Sequence, residues 1–382
     1  MTPEQRLLPT SEARDLLALT AEIGTAELSS RVTAAEESQT FPREVFQLLG
    51  QTGLLGLPYP EQQGGGGQPY QVYLQVIEEL SRHWLAVGMG VSVHVLSCFP
   101  LATAGNPQQQ QRWLADMLGG DLLGAYCLSE TESGSDAASL QTSAKSDSDG
   151  DYTVTGSKAW ITHAGAADFY STMVRTGEDG PAGISCLLIP ADAPGLSFGP
   201  PERKMGVRSS VTAQVVLDSV PVAADRLIGA EGQGFRIAMA ALDSGRLGLA
   251  ACAVGVAQAA LDAATDYARQ REQFGRPIGQ FQGVGFLLAD MAAAVAAARA
   301  LYLDAAQRKD AGQPFGQQAA MAKLVATDAA MRVTTDAVQV LGGAGYTQDF
   351  PVERYFREAK LLQIVEGTNQ IQRLVISRGL LR

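Results

Sequence analysis

The spacing of apolar positions changes character twice along the chain. From about Ser11 to Asp121 it is helical: Leu16, Leu17 and Ala21 recur about a turn apart, and Phe41-Pro42-Arg43-Glu44-Val45-Phe46 reads as a helix opened by Pro at its first position. A break follows at Gly64-Gly65-Gly66-Gly67. No Lys-Ser/Thr comes after these glycines and no clear strand precedes them, so a flexible turn is predicted in place of a phosphate loop. Beyond it, Tyr70 to Leu80 and Leu85 to Ala104 are again helical. The second holds no Lys, Arg, Asp or Glu from Leu85 to Thr103, which predicts a buried helix able to line a pocket. His94 lies within it with no carboxylate near in sequence to orient it, and is read as a core histidine.

Near Gly124 the period drops to two. Tyr152-Thr153-Val154-Thr155, Phe169 to Val174, Cys186 to Ile189 and Gln214-Val215-Val216-Leu217 are β-rich runs separated by turn signals such as Asp149-Gly150 and Pro194-Gly195. The connections are too short for crossover helices, so antiparallel strands are predicted. From Gly234 onward the helical period returns. Leu287, Met291, Val295, Ala298 and Tyr302 mark one face of a long Ala-rich helix, and Met321, Leu324, Val325, Val338 and Leu341 mark another. These are antiparallel-bundle patterns, although a long apolar face equally suits an oligomer interface. The predicted fold class is α+β: an all-α domain over 1–122, an antiparallel β domain over 123–233 and a four-helix-bundle-type domain over 234–382.

Composition narrows the function. The 382 residues are 46% hydrophobic and 18% charged with 41 Gly, which is globular. A formal net charge of −11 argues against binding a nucleic-acid backbone. Cys98, Cys127, Cys186 and Cys252 are widely spaced with no CxxC or Cys/His pairing, so buried reduced thiols are expected and no metal or disulfide site. Met1 to Leu8 is no basic-then-apolar leader, and no later run of about 18 apolar residues is free of polar interruption, so a soluble cytoplasmic protein that crosses no membrane is expected.

The candidate chemistry lies near the end, in Leu361-Leu362-Gln363-Ile364-Val365-Glu366-Gly367-Thr368-Asn369-Gln370. A carboxylate beside Ile364 and Val365 loses hydration, which raises its pKa and makes it a stronger base once ionised. Gly367 permits close approach of another molecule, and Thr368 can cap a following helix. Taken alone, the stretch is equally well an ordinary turn between helices.

Other stretches change that balance. Ala125-Tyr126-Cys127-Leu128-Ser129-Glu130-Thr131-Glu132-Ser133-Gly134-Ser135-Asp136 and Lys158-Ala159-Trp160-Ile161-Thr162 resemble the two signature segments of the acyl-CoA dehydrogenase family. Arg271-Glu272-Gln273-Phe274-Gly275-Arg276-Pro277-Ile278, Gln339-Val340-Leu341-Gly342-Gly343-Ala344-Gly345-Tyr346 and the segment around Glu366 are similar to three more, in the family's order. The resemblance runs from about residue 15 to the end of the chain. It implies FAD as cofactor. Tyr126, Leu128, Ser129, Gly134 and Ser135 would meet its phosphates and ring through amides and hydroxyls, and Trp160, Ile161 and Thr162 would wall it. Thr368, Asn369 and Gln370 would contact the same flavin. Arg271, Gln273, Phe274, Gln282, Gln339, Val340, Leu341, Gly342 and Gly343 would reach the cofactor of a neighbouring subunit, so the resemblance implies an oligomer, in the family usually a homotetramer built as a dimer of dimers.

For the substrate, the resemblance assigns Ser135, Asp243, Ser244, Gly245, Arg246 and Gly367 to the acyl-CoA. Asp243 and Arg246 also fit an i,i+3 ion pair on a helix. It implies α,β-dehydrogenation: Glu366 takes the α-proton, the Glu366 N–H and a ribityl hydroxyl hold the thioester carbonyl, a β-hydride passes to flavin N5, and electrons leave to an electron-transferring flavoprotein. Some family members carry the base just before the residue matching Arg246. Here that residue is Gly245, which points to the short-chain, medium-chain or branched-chain group. The absence of a cation on Leu85–Thr103 speaks against a dicarboxylic acyl tail. The family's usual Asn after Trp-Ile-Thr is His163 here, expected near the flavin edge. Dehydrogenation of a carrier-protein thioester, or an oxidase on the same fold, is the alternative; a DNA-binding flavoprotein is disfavoured by the acidic balance.

Overall fold

The charge-free stretch becomes the central helix of the N-terminal half. The computed structural model describes residues 6–381, so the outer limits of the first and last predicted domains, residues 1 and 382, lie outside the described residues. Helices α1 (Ser11–Ile23), α2 (Val32–Ser38), α3 (Arg43–Gln51), α4 (Tyr70–His83) and α5 (Leu85–Ala104) are followed by the short α6 (Pro107–Gln109) and α7 (Ala115–Leu118). α5 is apolar on every side and buried almost throughout, as a helix without a solvent face must be. His94 is a core residue: its Nδ1 accepts the Gly124 N–H at 3.0 Å, and burial holds its pKa down to about 3. The glycine quartet forms the predicted turn, closed by hydrogen bonds. Gly65 N–H donates to Pro60 O at 3.1 Å and Gly67 N–H to Tyr59 O at 2.8 Å, closing a turn in which a Cβ at Gly65 would strike the Tyr59 backbone.

The middle of the chain forms an eight-stranded sheet from β1 (Gly124–Cys127), β2 (Ser143–Ser146), β3 (Tyr152–Thr162), β4 (Phe169–Arg175), β5 (Ile184–Pro190), β6 (Leu196–Phe198), β7 (Thr212–Val222) and β8 (Leu227–Ile228). Its order is β6-β7-β3-β2-β4-β5-β8, with β1 beside β4. The all-antiparallel expectation fails at β4. There β1 pairs in parallel from Gly124↔Phe169 to Cys127↔Thr172, and β2 meets β4 in parallel at Ser143↔Arg175. The long excursion through residues 128–168 does the work of a crossover without a helix. In β3 the register with β7 slips between Lys158 and Ile161, and Trp160 inside the slip has φ +62°. That bulge turns the indole out of the sheet, leaving it 65% exposed.

The C-terminal part comprises α8 (Gly234–Gln270), a hairpin of β9 (Glu272–Gln273) and β10 (Arg276–Pro277), then α9 (Gln282–Asp310), α10 (Gly316–Leu341), α11 (Val352–Leu362) and α12 (Asn369–Leu380). Met291, Val295, Ala298 and Tyr302 face inward on α9 as expected. On α10 the predicted face holds only in part: Leu341 is buried, but Met321 and Leu324 are half-buried and Val325 is 38% exposed, and the N-terminal part of the buried face is Ala319, Ala322, Lys323, Ala326, Thr327 and Ala330. Small residues win because α10 packs closely against the Ala-rich α8. By length and composition α5, α8 and α9 are apolar enough to cross a membrane, contrary to the sequence expectation. The apolar windows of α5 and α8 are 89% and 83% buried inside the fold, whereas that of α9 is only 22% buried. Between α4 and α9 a buried charge network forms: Glu78 accepts from Arg299 Nη2 at 2.8 Å and from Tyr302 Oη at 2.5 Å, and pairs with Arg6 at 3.0 Å.

Candidate functional site

The turn between α11 and α12 delivers one carboxylate to the interior. α12 begins at Asn369 with Thr368 as its N-cap, the Thr368 hydroxyl accepting from Ile371 N–H at 3.3 Å. Reversing direction in so few residues puts Glu366 at φ +51° and Gly367 at φ +87°. Glycine adopts that conformation freely; glutamate does so at a cost of about 1 kcal/mol or more. The turn is tied down from below, since Gly367 O accepts from Lys323 Nζ at 3.0 Å and from Gln372 Nε2 at 2.7 Å. Glu366 Oε2 is out of solvent with no hydrogen-bond partner among the described residues. Burial pushes its pKa up to about 7, against the opposing pull of Lys323 and Arg246.

The carboxylate comes to rest against Gly245 of α8: a Cβ there would lie 3.0 Å from Glu366 Cδ and closer still to Oε2. Gly245 and Ser244 also line a cavity of about 290 Å³ walled by Tyr59, Tyr70, Val95, Leu96 and Phe99. The site is therefore an apolar slot with a desolvated carboxylate at its side. Its wall does include a cation, contrary to what α5 alone suggested: Lys309 from the end of α9 donates to Ser244 Oγ at 2.6 Å and lies over the Tyr70 ring at 4.3 Å. Asp243 and Arg246 form the i,i+3 pair at 2.5 Å, with Arg246 buried.

A second surface is built by the loop after β1 and the bulge in β3. Glu130 is its clamp: it accepts from Gln141 N–H at 2.7 Å, Thr142 N–H at 2.9 Å and the buried Lys158 Nζ at 2.8 Å. Ala159 N–H donates to Ser129 O at 2.9 Å, so loop and strand move as one. Glu130 and Ser133 exchange backbone hydrogen bonds, which leaves Gly134 and Ser135 at an exposed crest with nothing within 4 Å of a Cβ placed at Gly134. Tyr126 Oη is buried and unpartnered among the described residues. Exposed indole, orphaned phenol and open crest together describe a surface shaped for a flat polar-edged group.

The comparisons with known proteins decide what that group serves. The N-terminal, middle and C-terminal domain models of acyl-CoA dehydrogenases match residues 10–121, 125–220 and 232–381. The chain belongs to the acyl-CoA dehydrogenase family. It is 45% identical to an acyl-CoA dehydrogenase of Bacillus subtilis over 93% of this chain and 94% of that one. It is 41% identical to the short-chain specific acyl-CoA dehydrogenase of Megasphaera elsdenii over 97% of this chain and 98% of that one. Butyryl-CoA dehydrogenase from Megasphaera elsdenii superposes with a TM-score of 0.96 at 40% identity, covering 99% of this chain and 100% of that one. The chain is thus an oxidoreductase of a flavoprotein family, short-chain-like in its relatives.

Seen as an acyl-CoA dehydrogenase, the protein has candidate flavin partners in the exposed Trp160 indole and the unpartnered Tyr126 Oη, with Ser129, Gly134 and Ser135 on the loop after β1, Thr162 at the end of β3, and Leu128 and Ile161 buried. Several expected contacts are placed differently. The Asn369 side chain turns inward, its Oδ1 accepting from Lys323 at 2.9 Å and its Nδ2 donating to Asp328 Oδ1 at 2.7 Å, so both side-chain polar atoms are engaged within the protein; Gln370 is exposed. Val340 and Leu341 point into the core, leaving Gln339, Gly342 and Gly343 on the surface. Arg271, Gln273, Phe274 and Gln282 are exposed around the β9–β10 hairpin, Phe274 at 94%, with no contact to this chain's own site. His163, expected near a flavin edge, has its side chain in the core. Its ring is buried with centroids 5.5 Å from Phe41 and 5.3 Å from Phe46, and Nδ1 meets Gly124 O at 2.9 Å. Sequence reasoning missed Lys323 and Lys309; an alanine stripe at helical spacing around Lys323 was the one available sign.

Proposed function

We propose that the protein binds FAD and dehydrogenates a short- or branched-chain acyl-CoA thioester to the 2-enoyl-CoA, with Glu366 as the base. The observation that carries this is the Glu366 carboxylate, partnerless and desolvated, set against Gly245 beside an apolar cavity. A carboxylate with a pKa near 7 is ionised in useful amount at neutral pH and is a stronger base than an ordinary one. No backbone acceptor among the described residues takes the Glu366 N–H, so it is free to hold the thioester carbonyl as negative charge develops. The small cavity suits a short acyl chain, Ser244 lines it, and Arg246 and Ser135 would hold the remainder of the thioester. FAD bound against Trp160 would accept the β-hydride. The electrons then pass to an electron-transferring flavoprotein.

The outward apolar face of α9 and the exposed Phe274 hairpin support an assembly in which subunits complete each other's cofactor sites, a homotetramer arranged as a dimer of dimers. The test is anaerobic addition of straight and branched acyl-CoAs to the holoenzyme and to Glu366→Gln. Bleaching of the flavin band by short esters, abolished in a variant that still holds flavin, is the expected result. A flavin that stays oxidised with every acyl-CoA overturns the substrate class and leaves the carrier-protein thioester as the reading to pursue.

A further inference from the structure

α10 shows α8 a face of small residues, and in that face stands one ammonium, Lys323, with no exposed surface. A helix interface of this kind needs only apolar bulk here, so a buried cation calls for a specific use. Its Nζ donates to Gly367 O at 3.0 Å and to Asn369 Oδ1 at 2.9 Å, the residue after Glu366 and the first residue of α12. Asn369 is itself held by Thr327 Oγ1 at 2.9 Å and Asp328 Oδ1 at 2.7 Å. The ammonium thus grips both arms of the turn that presents Glu366.

We propose that Lys323 is a positioning residue for Glu366: its two hydrogen bonds hold the left-handed turn, and its ammonium is a counter-charge built into that turn for the carboxylate. This rests on Glu366 being the base. The groups that face Glu366 from the surrounding elements are Arg246 and Cys252 on α8, Lys323 on α10, Tyr70 on α4 and Tyr126 on β1, with Asp328 further along α10 beside Lys323. Arg246 is matched by Asp243 at 2.5 Å. Lys323 has only neutral oxygens as direct partners, and its field is shared between Glu366 and Asp328, which reaches it through Asn369. A cation near a carboxylate favours the charged form, and removing it raises the carboxylate's pKa.

The experiment is the pH dependence of kcat/KM for a short acyl-CoA in the flavin-loaded enzyme and in Lys323→Met, Lys323→Gln, Lys323→Arg and Glu366→Gln, with flavin content and thermal midpoint recorded for each. In Lys323→Met and Lys323→Gln the acid limb moves up by about one pH unit, so activity falls about tenfold on the acid side and the loss narrows at high pH. Lys323→Arg keeps the charge and returns the limb to its original place, although its broader head group lowers kcat. An acid limb that stays fixed while activity drops equally at every pH, or full activity in Lys323→Gln, overturns the proposal. If Lys323→Met does not fold with flavin, the Gln and Arg variants decide. An active Glu366→Gln would remove the base assignment itself, whereas an inactive Glu366→Gln beside unmoved limbs in the Lys323 variants would remove only the role of Lys323.

Discussion

Gly245 offers the sharpest test of the site, because the reason for its presence runs against helix preference. It lies inside the long helix α8, where glycine costs about 1 kcal/mol relative to alanine. A Cβ at this position would stand 3.0 Å from Glu366 Cδ and inside contact distance of Oε2; its next neighbour, Leu96 Cδ1, lies at an ordinary 3.4 Å. The Glu366 carboxylate is the only obstacle at close range among the described residues, and it is the mobile end of a side chain. Gly245→Ala should therefore fold, retain flavin and show a thermal midpoint equal to or above the parent. The carboxylate must withdraw by roughly 1 Å to regain van der Waals separation, and a base displaced by that much loses about 100-fold in rate. Stopped-flow bleaching by butyryl-CoA measures this step, and calorimetry measures the midpoint. A variant that bleaches within a few-fold of the parent would refute the contact. One that is slow because it lost stability or flavin would refute the claim that only the carboxylate stands in the way.

Two further outcomes follow from buried groups. Burial lowers the His163 pKa from 6.5 to about 4, so the folded ring stays neutral while the unfolded chain takes up a proton below 6.5. The unfolded state then binds more protons between those values, and stability falls as pH drops through that window by up to roughly 3 kcal/mol from this residue. His163→Asn should lessen the slope of that part of a urea-derived stability profile, leaving the acid dependence of His94, whose pKa burial holds lower still; an unchanged slope between pH 6.5 and 4 would count against the assignment. Arg299→Met leaves Glu78 with Arg6 and Tyr302 only, and breaking a buried pair of this kind costs about 3–5 kcal/mol in equilibrium unfolding. A loss below about 1 kcal/mol would show that the remaining partners suffice.

The element order was legible because each block keeps one period over many residues: charge-free α5, alternating β3 and β7, Ala-rich α8 to α10. What escaped the sequence depends on geometry between distant segments. Nothing in Gly124–Cys127 says that its partner β4 runs parallel, since strand direction is set by the path of the intervening loop. Glu366 was legible from its apolar flank, but its contact with Gly245 joins residues far apart in sequence. Asn369 and His163 read equally well as ligand contacts or as core residues; only the fold turns one toward Lys323 and the other toward Phe41 and Phe46. On α10 larger apolar residues marked the buried end at Leu341 but missed the face before it, because a close helix interface selects for small side chains over greasy ones.

Two bulky residues in this site adopt left-handed backbone, Trp160 at φ +62° and Glu366 at φ +51°, and neither conformation is one its side chain favours. Such strain persists only where neighbours over-determine it. In both places the neighbour is a fully buried lysine that donates to a backbone carbonyl of the adjoining loop: Lys158 to Leu128 O at 3.2 Å, and Lys323 to Gly367 O at 3.0 Å. Each also reaches a polar side chain that anchors the same loop, Glu130 at 2.8 Å and Asn369 at 2.9 Å. An ammonium suits this task because its several donors tie a backbone oxygen and a side chain at once. The surface proposed to receive the flavin and the turn that carries the proposed base are thus fixed by the same device, built separately on a β-strand and on a helix. Rigidity at these points holds the exposed indole on the sheet and the desolvated carboxylate against Gly245, the two groups on which the proposed reaction rests.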